Sequence, residues 1–333
     1  MKISVIVPVR NEEESIRALL DGLIAQTRRP DEIVITDGGS TDMTVKIIEE
    51  YVERGAHIHL IREEMALPGR GRNLAAERAS SPWLAFTDAG IRPAESWLAE
   101  LAERIEREQT ADIVYGSWEP VTDSFFKECA AIAYLPPPTE FDGDLMRADF
   151  IASAMMRRSV WQAVGGFPEH LRSAEDILFM NKLKAGKFHT VFAPRALVRW
   201  EIQPNLRRTF KRFASYSRHN LRAGLWRQWQ ANIFKYYALI PVIALPALAL
   251  GRWWWVGLTG VLWLLMLTAR SVVALRRNRN SYPAGAGRNA LRLLVLVPLL
   301  ATIDAATFVG SISWLTGDKL HRRSRSAGNQ DDA

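Results

Sequence analysis

Short apolar runs alternate with longer amphipathic segments through the first third of the chain. The runs have the length and β-branched content of buried strands, and the longer segments repeat apolar residues with helical spacing. Strands joined by helices form a parallel sheet, so the sequence predicts an α/β fold with a mainly parallel sheet flanked by helices. The predicted strands cover residues 3–9, 33–36, 57–61, 83–87 and 113–118, and the predicted helices cover 12–26, 43–54, 72–79 and 94–108.

Charged residues follow three of the predicted strands at the point where each strand ends. Arg10 follows the first strand, Asp37 the second and Asp88 the fourth. Ligands of open α/β sheets bind outside the carboxyl ends of the strands, so these side chains are expected to share one pocket. A turn cap is the structural alternative for Asp37, and Asp42, which precedes a helix, is interpreted as a cap.

Four motifs, in this order, resemble family 2 glycosyltransferases. They are Val-Ile-Val-Pro-Val-Arg-Asn-Glu at 5–12, Thr-Asp-Gly-Gly-Ser-Thr-Asp at 36–42, Phe-Thr-Asp-Ala-Gly at 86–90 and Gly-Gly-Phe-Pro-Glu at 165–169. The resemblance covers roughly residues 1 to 200, and an ordered set is far more specific than any single motif. It implies a GT-A type domain that transfers a sugar from a nucleotide-sugar donor, a UDP- or GDP-sugar, with inversion at the sugar.

The resemblance implies that the nucleoside is held by the loop after the first strand and by the acid after the second. Pro8, Arg10 and Glu12 belong to that loop, and Asp37 is the acid. A carboxylate accepts hydrogen bonds from a base N–H or a ribose hydroxyl, which suits this task.

The diphosphate side of the donor site is expected around residues 69–73 and 88. Arg70 and Arg72 lie at the start of a predicted helix, where guanidinium groups and backbone N–H groups suit a diphosphate, although a solvated basic loop is the alternative. Asp88 is the candidate ligand for a divalent cation, Mg²⁺ or Mn²⁺. Gly90 stands where the family carries a second acid, which leaves metal dependence open and Arg70 and Arg72 as alternative sources of positive charge.

The acceptor side is expected at Glu175 and Asp176, which follow the fourth motif. An attacking hydroxyl must lose its proton, and the resemblance implies Asp176 as the base, with Glu175 able to hold acceptor hydroxyls. The alternative is that both acids cap a helix at residues 177–184. His170 and His189 are isolated histidines and are interpreted as surface or structural residues.

The chain changes character after residue 200. Residues 199–235 carry nine Lys or Arg residues against one acid and are interleaved with aromatic residues. Three apolar stretches follow, at 233–250, 253–275 and 291–315, each long enough to cross a ~30 Å hydrocarbon layer. The basic stretch is therefore interpreted as a collar that faces lipid headgroups, which explains the net charge of +7 without nucleic acid.

These features predict a multi-pass protein of the cell membrane with a cytoplasmic GT-A domain at residues 1–225. A strand follows Met1 almost directly, which does not fit a signal peptide, and the single cysteine, Cys129, agrees with a reducing compartment. Three crossings put the basic and partly disordered tail, residues 316–333, outside, against the positive-inside tendency. Because Asp304 also lies in the third stretch, a re-entrant or interfacial third segment is the alternative.

The predicted function is sugar transfer to a lipid or lipid-linked acceptor at the membrane surface. Two alternatives are kept. A processive polysaccharide synthase would thread its product through the membrane, for which three short crossings are few. A membrane-bound nucleotide-sugar binding protein without catalysis is motivated by Gly90.

Overall fold

The structure is a computed structural model that describes residues 1–147, 149–251 and 254–319 of the 333-residue chain. The chain divides into two compact units. The first unit contains Met1–Val121 and Pro138–Glu201, and the second contains Thr122–Pro137 and resumes at Ile202. The expectation of partial disorder in the tail concerns residues that lie almost wholly outside the described ranges.

The first unit is built on an eight-stranded sheet of order β3-β2-β1-β4-β9-β6-β10-β5, and β7 and β8 form a separate hairpin. The strands are β1 (Ile3–Val9), β2 (Glu32–Asp37), β3 (Ile58–Arg62), β4 (Trp83–Phe86), β5 (Ile91–Pro93), β6 (Ile113–Val121), β7 (Thr139–Phe141), β8 (Asp144–Met146), β9 (Ala154–Arg157) and β10 (Thr190–Glu201). The helices are α1 (Ile16–Ile24), α2 (Thr44–Glu53), α3 (Pro68–Arg78), α4 (Trp97–Arg107), α6 (Arg158–Ala163) and α7 (Glu175–Ala185).

The predicted mainly parallel sheet is confirmed. The pairs β1–β2, β2–β3, β1–β4 and β6–β10 are parallel, and the antiparallel pairs involve β9 and β5. In register, Val9 lies opposite Asp37 and Ile6 lies opposite Phe86. Strands β1 and β2 therefore end level with each other, and β4 ends three residues earlier along β1, opposite Ile6.

Strand β9 was not predicted from the sequence. It lies between β4 and β6 and is antiparallel to both. Its residues Ala154, Met155 and Met156 are fully buried, so the strand shows no polar alternation that would distinguish it from a short helix.

Aromatic packing anchors the loop at residues 165–169 to the sheet. The ring of Phe167 stacks on Phe179 of α7 at 3.8 Å between centroids and meets Phe86 of β4 edge-on at 5.5 Å. All three rings are buried among apolar residues of α3, β4 and β9. Burial of these rings supplies much of the hydrophobic stabilisation near the ends of the strands.

The second unit is helical within the described residues. Its helices are α5 (Phe125–Tyr134), α8 (Leu206–Arg222), α9 (Trp226–Trp229), α10 (Ala231–Ala249), α11 (Trp254–Arg277) and α12 (Ala286–Ser313). Two stretches of the described chain, Gly257–Arg277 and Ala286–Gly317, are long and apolar enough to cross a membrane. Helix α10 covers the first predicted crossing and contains Pro241 and Pro246.

We expect Phe179→Ala to lower the free energy of unfolding by about 3–5 kcal/mol, because the side chain is fully buried and its removal leaves a cavity beneath Phe167. Urea denaturation of the purified protein, followed by circular dichroism, measures this change. Leu145→Ala removes a side chain that is 67% exposed and is the matched control, expected to change stability by roughly 0.5 kcal/mol or less. Equal losses in the two variants would contradict the core assignment.

Candidate functional site

Two loops at the carboxyl edge of the sheet are joined by hydrogen bonds. Asn11 accepts at Oδ1 from the backbone N–H of Thr41 at 2.9 Å, and its own N–H donates to Ser40 Oγ at 2.8 Å. Asn11 adopts a left-handed backbone conformation, with φ of 55°, which asparagine tolerates better than most residues. The loop after β1 is thereby held against the turn after β2.

Asp37 is buried and binds its own turn. Its Oδ2 accepts from the backbone N–H groups of Gly39 and Ser40, both at 3.0 Å, and its Oδ1 accepts from the Ser40 hydroxyl at 2.5 Å. Gly38 is required here, because a Cβ would lie 2.5 Å from the carbonyl oxygen of Ala66. The carboxylate caps the turn in this structure, which is the structural alternative, and its role toward a nucleoside stays a prediction.

Asp42 binds the first residue of α2 in agreement with the cap interpretation, although Met43 occupies the N-cap position. Its Oδ1 accepts from the backbone N–H of Thr44 at 3.0 Å and from the Thr44 hydroxyl at 2.6 Å. Although partial burial opposes the charge, these hydrogen bonds at the start of α2 lower the pKa of Asp42.

Arg72 lies at the centre of the site. Its Nη2 donates to Asp88 Oδ1 at 2.6 Å and its Nη1 donates to Glu175 Oε1 at 2.7 Å, while the guanidinium carbon lies 5.4 Å from the centroid of Phe167. The side chain is 4% exposed. Burial disfavours the charge, but the carboxylates of Asp88, Glu175 and Asp176 hold the pKa of Arg72 above its usual value. A permanently charged guanidinium therefore links α3, the end of β4 and the start of α7.

Helix α7 begins two residues earlier than predicted, so Glu175 and Asp176 lie in its first turn. Ala174 precedes them with a φ of 70°, a left-handed conformation that is strained for a residue with a Cβ. Negative charge in the first turn is favoured by the helix dipole. The capping interpretation of the two acids is thus compatible with their place at the site.

Asp176 has an unusually high proton affinity. Its burial, and next the charge of Glu175, raise the pKa of Asp176 to about 6, although Arg72 and the backbone N–H of Ile177 at 2.8 Å act in the opposite direction. A carboxylate with a pKa near neutrality is suited to general-base chemistry.

Asn73 is a site residue that the sequence analysis did not identify. Its Oδ1 accepts from the backbone N–H of Phe167 at 2.9 Å and from Trp161 Nε1 at 3.3 Å. Its Nδ2 donates to the carbonyl oxygen of Phe167 at 3.0 Å and to Glu169 Oε1 at 2.9 Å. Asn73 therefore fastens the fourth motif to α3. The only sequence signal is its position beside Arg72, since its partners lie about ninety residues away.

The other predicted donor residues lie around the loops. Pro8 packs against α3, where a Cβ on Gly71 would come within 3.2 Å of Pro8 Cβ. Glu12 accepts from the Ser15 hydroxyl at 2.5 Å. Arg70 is 39% exposed and pairs with Glu63 at 3.5 Å and Glu169 at 3.3 Å.

Arg10 is half-buried and forms no ion pair with any residue in the described part of the chain. It is therefore a cation available at the strand ends. His170 and His189 are exposed, in agreement with their interpretation as surface residues.

The central cluster is electrostatically unbalanced. One guanidinium, Arg72, faces three carboxylates, Asp88, Glu175 and Asp176, which leaves an excess of two negative charges when all are ionised. Asp88 Oδ2 accepts no hydrogen bond from the described residues, and a Cβ on Gly90 would meet open space. No set of three or more His, Cys, Asp or Glu side chains in the described ranges is placed to hold a metal. A hard divalent cation fits here through Asp88, provided that a ligand and water supply its other oxygens.

The sequence and the fold both match known proteins. The family described as Glycosyl transferase family 2 matches residues 4–161. TarS of Staphylococcus aureus, a poly(ribitol-phosphate) beta-N-acetylglucosaminyltransferase, is 29% identical over 198 residues, which are 55% of this chain and 32% of TarS. Glycosyltransferase GlyA of Streptococcus pneumoniae is 34% identical over 123 residues, which are 37% of this chain and 18% of GlyA. The chain thus spans less than a third of either relative.

Solved structures share the GT-A fold. The mannosyltransferase PcManGT from Pyrobaculum calidifontis, in complex with GDP-Man and Mn²⁺, has a TM-score of 0.55 at 20% identity, covering 95% of this chain and 88% of PcManGT. TarS 1–349 of S. aureus, in complex with UDP, has a TM-score of 0.51 at 19% identity, covering 96% of this chain and 92% of that structure.

We expect Asp176→Asn to raise the thermal stability at pH 8 and to have little effect at pH 4. The folded protein holds the pKa of this carboxyl above its unfolded value, so ionisation of Asp176 costs stability as the pH rises through about 6. Asparagine keeps an oxygen that can accept from Ile177 N–H but carries no charge. Melting temperatures measured between pH 4 and 8 test this, with Asp142→Asn, at an exposed turn, as the control. A stabilisation independent of pH would contradict it.

Proposed function

We propose that this chain, a family 2 glycosyltransferase by its domain at residues 4–161, transfers one sugar from a nucleotide-sugar to a lipid or lipid-linked acceptor at a membrane surface, with inversion. The observation that carries the proposal is the bridge from Arg72 to Asp88 and Glu175. Through this bridge, Asp88, which follows strand β4, and the two acids in the first turn of α7 form one cluster. A transferase requires such a cluster because its donor and acceptor sites are neighbours.

The donor is proposed to bind along the strand ends as a UDP- or GDP-sugar. Neighbouring solved structures contain UDP, UDP-GlcNAc or GDP-Man, which supports this class of donor. Pro8, Glu12 and Asp37 are assigned to the nucleoside. Arg10 and Arg70 are assigned to the diphosphate, because their guanidinium groups are partly exposed.

Arg72 is assigned to the donor site because it positions Asp88. It is not assigned a direct contact with the diphosphate. Both of its terminal nitrogens already donate to carboxylates, and the side chain is buried. Its Nη2 holds Asp88 in place, and its Nη1 holds Glu175 beside Asp176.

Asp176 is proposed as the base. The acceptor hydroxyl oxygen attacks the anomeric carbon, the bond from that carbon to the diphosphate oxygen breaks, and the hydroxyl proton passes to the Asp176 carboxylate. The nucleoside diphosphate leaves with the electron pair of the broken bond. Glu175 is assigned to the acceptor hydroxyls, and its charge strengthens Asp176 as a base.

A divalent cation, Mg²⁺ or Mn²⁺, is proposed to bind through Asp88, and the Mn²⁺ in the PcManGT complex supports this. Such an ion neutralises charge on the leaving diphosphate. The negative excess of the Asp88, Glu175 and Asp176 cluster favours this ion over the purely arginine-based alternative.

A membrane-bound acceptor is supported by the second unit. It contains two helices long and apolar enough to cross a membrane among the residues described. Attachment to a membrane would raise the local concentration of a lipid-linked acceptor near Asp176. Because TarS is named for transfer to poly(ribitol-phosphate), that anionic polymer is the acceptor to test against a lipid-linked one.

We expect purified full-length protein to release nucleoside diphosphate from one UDP- or GDP-sugar only when a lipid extract is added. Asp176→Asn should lower turnover about 100- to 10,000-fold, because the base is lost, without preventing donor binding. Asp142→Asn is the control.

Donor binding without turnover under every acceptor and metal would favour the non-catalytic binding protein. Release that depends on poly(ribitol-phosphate) but not on lipid would overturn the lipid acceptor, and a long polymeric product would favour the processive synthase.

We expect Gly90→Asp to lower the Mn²⁺ concentration needed for half-maximal activity, because a second carboxylate fits the open space beside Asp88. Titration of Mn²⁺ into EDTA-treated protein measures this. Gly90→Asn, which adds a similar volume without charge, is the matched control. Full activity of the native chain in EDTA would exclude a required cation.

A further inference from the structure

We propose that the second unit attaches to a phospholipid bilayer through the hairpin of α10 and α11, while α12 lies along the membrane surface and does not cross. The C-terminal tail then stays on the side of the first unit. Attachment of this kind does not depend on which sugar or acceptor the enzyme uses. Contacts within the second unit favour one crossing hairpin over the expected three crossings.

The beginning of α12 is tied to α5. Glu128 of α5 accepts from Arg292 Nε at 2.7 Å and also pairs with Arg288. Three residues join β6 to α5, and four join α5 to β7. An extended chain covers about 3.5 Å per residue, so such short links cannot cross a hydrocarbon layer of ~30 Å. The beginning of α12 therefore lies on the side of the first unit.

The end of α11 is tied to the same helix. Asn278 Nδ2 donates to the carbonyl oxygen of Ile132 at 3.2 Å, and Arg277 donates to the carbonyl oxygen of Leu135 at 3.3 Å. Leu296 of α12 and Ala274 of α11 pack with Cys129 and Ile132 in one buried apolar cluster. The base of the hairpin therefore also lies on this side.

The end of α12 is tied to α8. Ser217 Oγ donates to the carbonyl oxygen of Thr307 at 2.8 Å and lies 3.1 Å from Ser311 Oγ. Gly310 passes so close to the backbone of Ala214 that a Cβ would clash.

Helix α8 cannot lie in hydrocarbon. Its 17 residues include Arg207, Arg208, Lys211, Arg212, Arg218 and Arg222. Only four residues join the end of β10 to α8, so α8 lies on the side of the first unit. Both ends of α12 are thus tied to elements on one side of the membrane, which a crossing helix does not allow.

The second half of α12 also contacts the hairpin close to its base. Asp304 is fully buried and accepts from Arg270 Nη2 at 3.0 Å and from the Tyr237 hydroxyl at 2.9 Å. The Phe308 ring packs on Phe234 at 5.5 Å. Arg270 lies about 10 Å before the end of α11, and Tyr237 about 9 Å after the start of α10, at 1.5 Å per residue. The charged pair therefore lies toward the interface, where its cost is lower than at the bilayer centre.

The remaining surface of the hairpin fits a lipid bilayer. Its exposed apolar side chains include Val242, Leu245, Leu250, Trp254, Val261 and Leu265. Exposed Trp226 and Trp229 follow the cationic α8, which suits the headgroup level of an anionic membrane. The arrangement also keeps the basic residues of the tail, Arg322, Arg323 and Arg325, on the side that the positive-inside tendency favours.

Labelling of single introduced cysteines in the full-length chain tests the proposal. Ser326→Cys marks the tail, Glu106→Cys marks an exposed position on α4, and the native Cys129 is fully buried. In sealed membrane vesicles of known orientation, a membrane-impermeant maleimide should label both introduced cysteines from the same side. Labelling of Ser326→Cys from the opposite side would overturn the proposal. Labelling in detergent shows that each thiol is reactive.

A reporter that fluoresces only in the cytoplasm gives a second measurement. Fused after Ala333, it should fluoresce like the same reporter fused before Met1. A full-length but dark C-terminal fusion, beside a fluorescent N-terminal one, would overturn the proposal. Neither experiment depends on turnover, so failure of the topology and failure of the proposed activity are distinguished.

Discussion

The buried guanidinium of Arg72 is the interaction on which the site depends. It satisfies Asp88 and Glu175 together and leaves its own Nε without a hydrogen bond among the described residues. Removing one member of a buried ion pair is far more costly than the pair is worth, because the remaining charge stays desolvated. Loss of Arg72 would therefore leave two acids without their counter-ion and release α7 from the end of β4.

The close approach of α3 to the sheet makes this bridge possible. Gly69 and Gly71 allow the helix to touch the backbone of Pro168 and the ring of Pro8, positions where a Cβ would clash or crowd. Arg72 and Asn73 follow in the same turn. Arg72 binds the acids, and Asn73 is hydrogen-bonded to the loop that carries Phe167. A single helical turn thus determines the distance between the strand ends and the start of α7.

The sequence pattern predicted the elements that depend on interactions between residues close together in the chain. The apolar runs of β1 to β4 and β6, the helices between them and the cap at Asp42 follow from periodicity and from turn chemistry. Strand β9 was missed because burial on both faces removes its alternation. The bridge from Arg72 to Glu175 joins residues 103 apart, and the clamp of Asn73 on Phe167 joins residues 94 apart. No local pattern encodes such distances, although the motifs supplied the acids themselves.

The docking of α5 has a consequence for biosynthesis. Glu128 and its partner Arg292 are 164 residues apart, and the apolar face with Cys129 and Ile132 is buried only when α11 and α12 arrive. At about 5–20 residues per second, a ribosome needs on the order of ten seconds or more to supply that helix. During this interval α5 exposes an apolar surface and an unpaired carboxylate. The emerging chain would therefore need protection by a chaperone or by the membrane insertion machinery until synthesis is nearly complete.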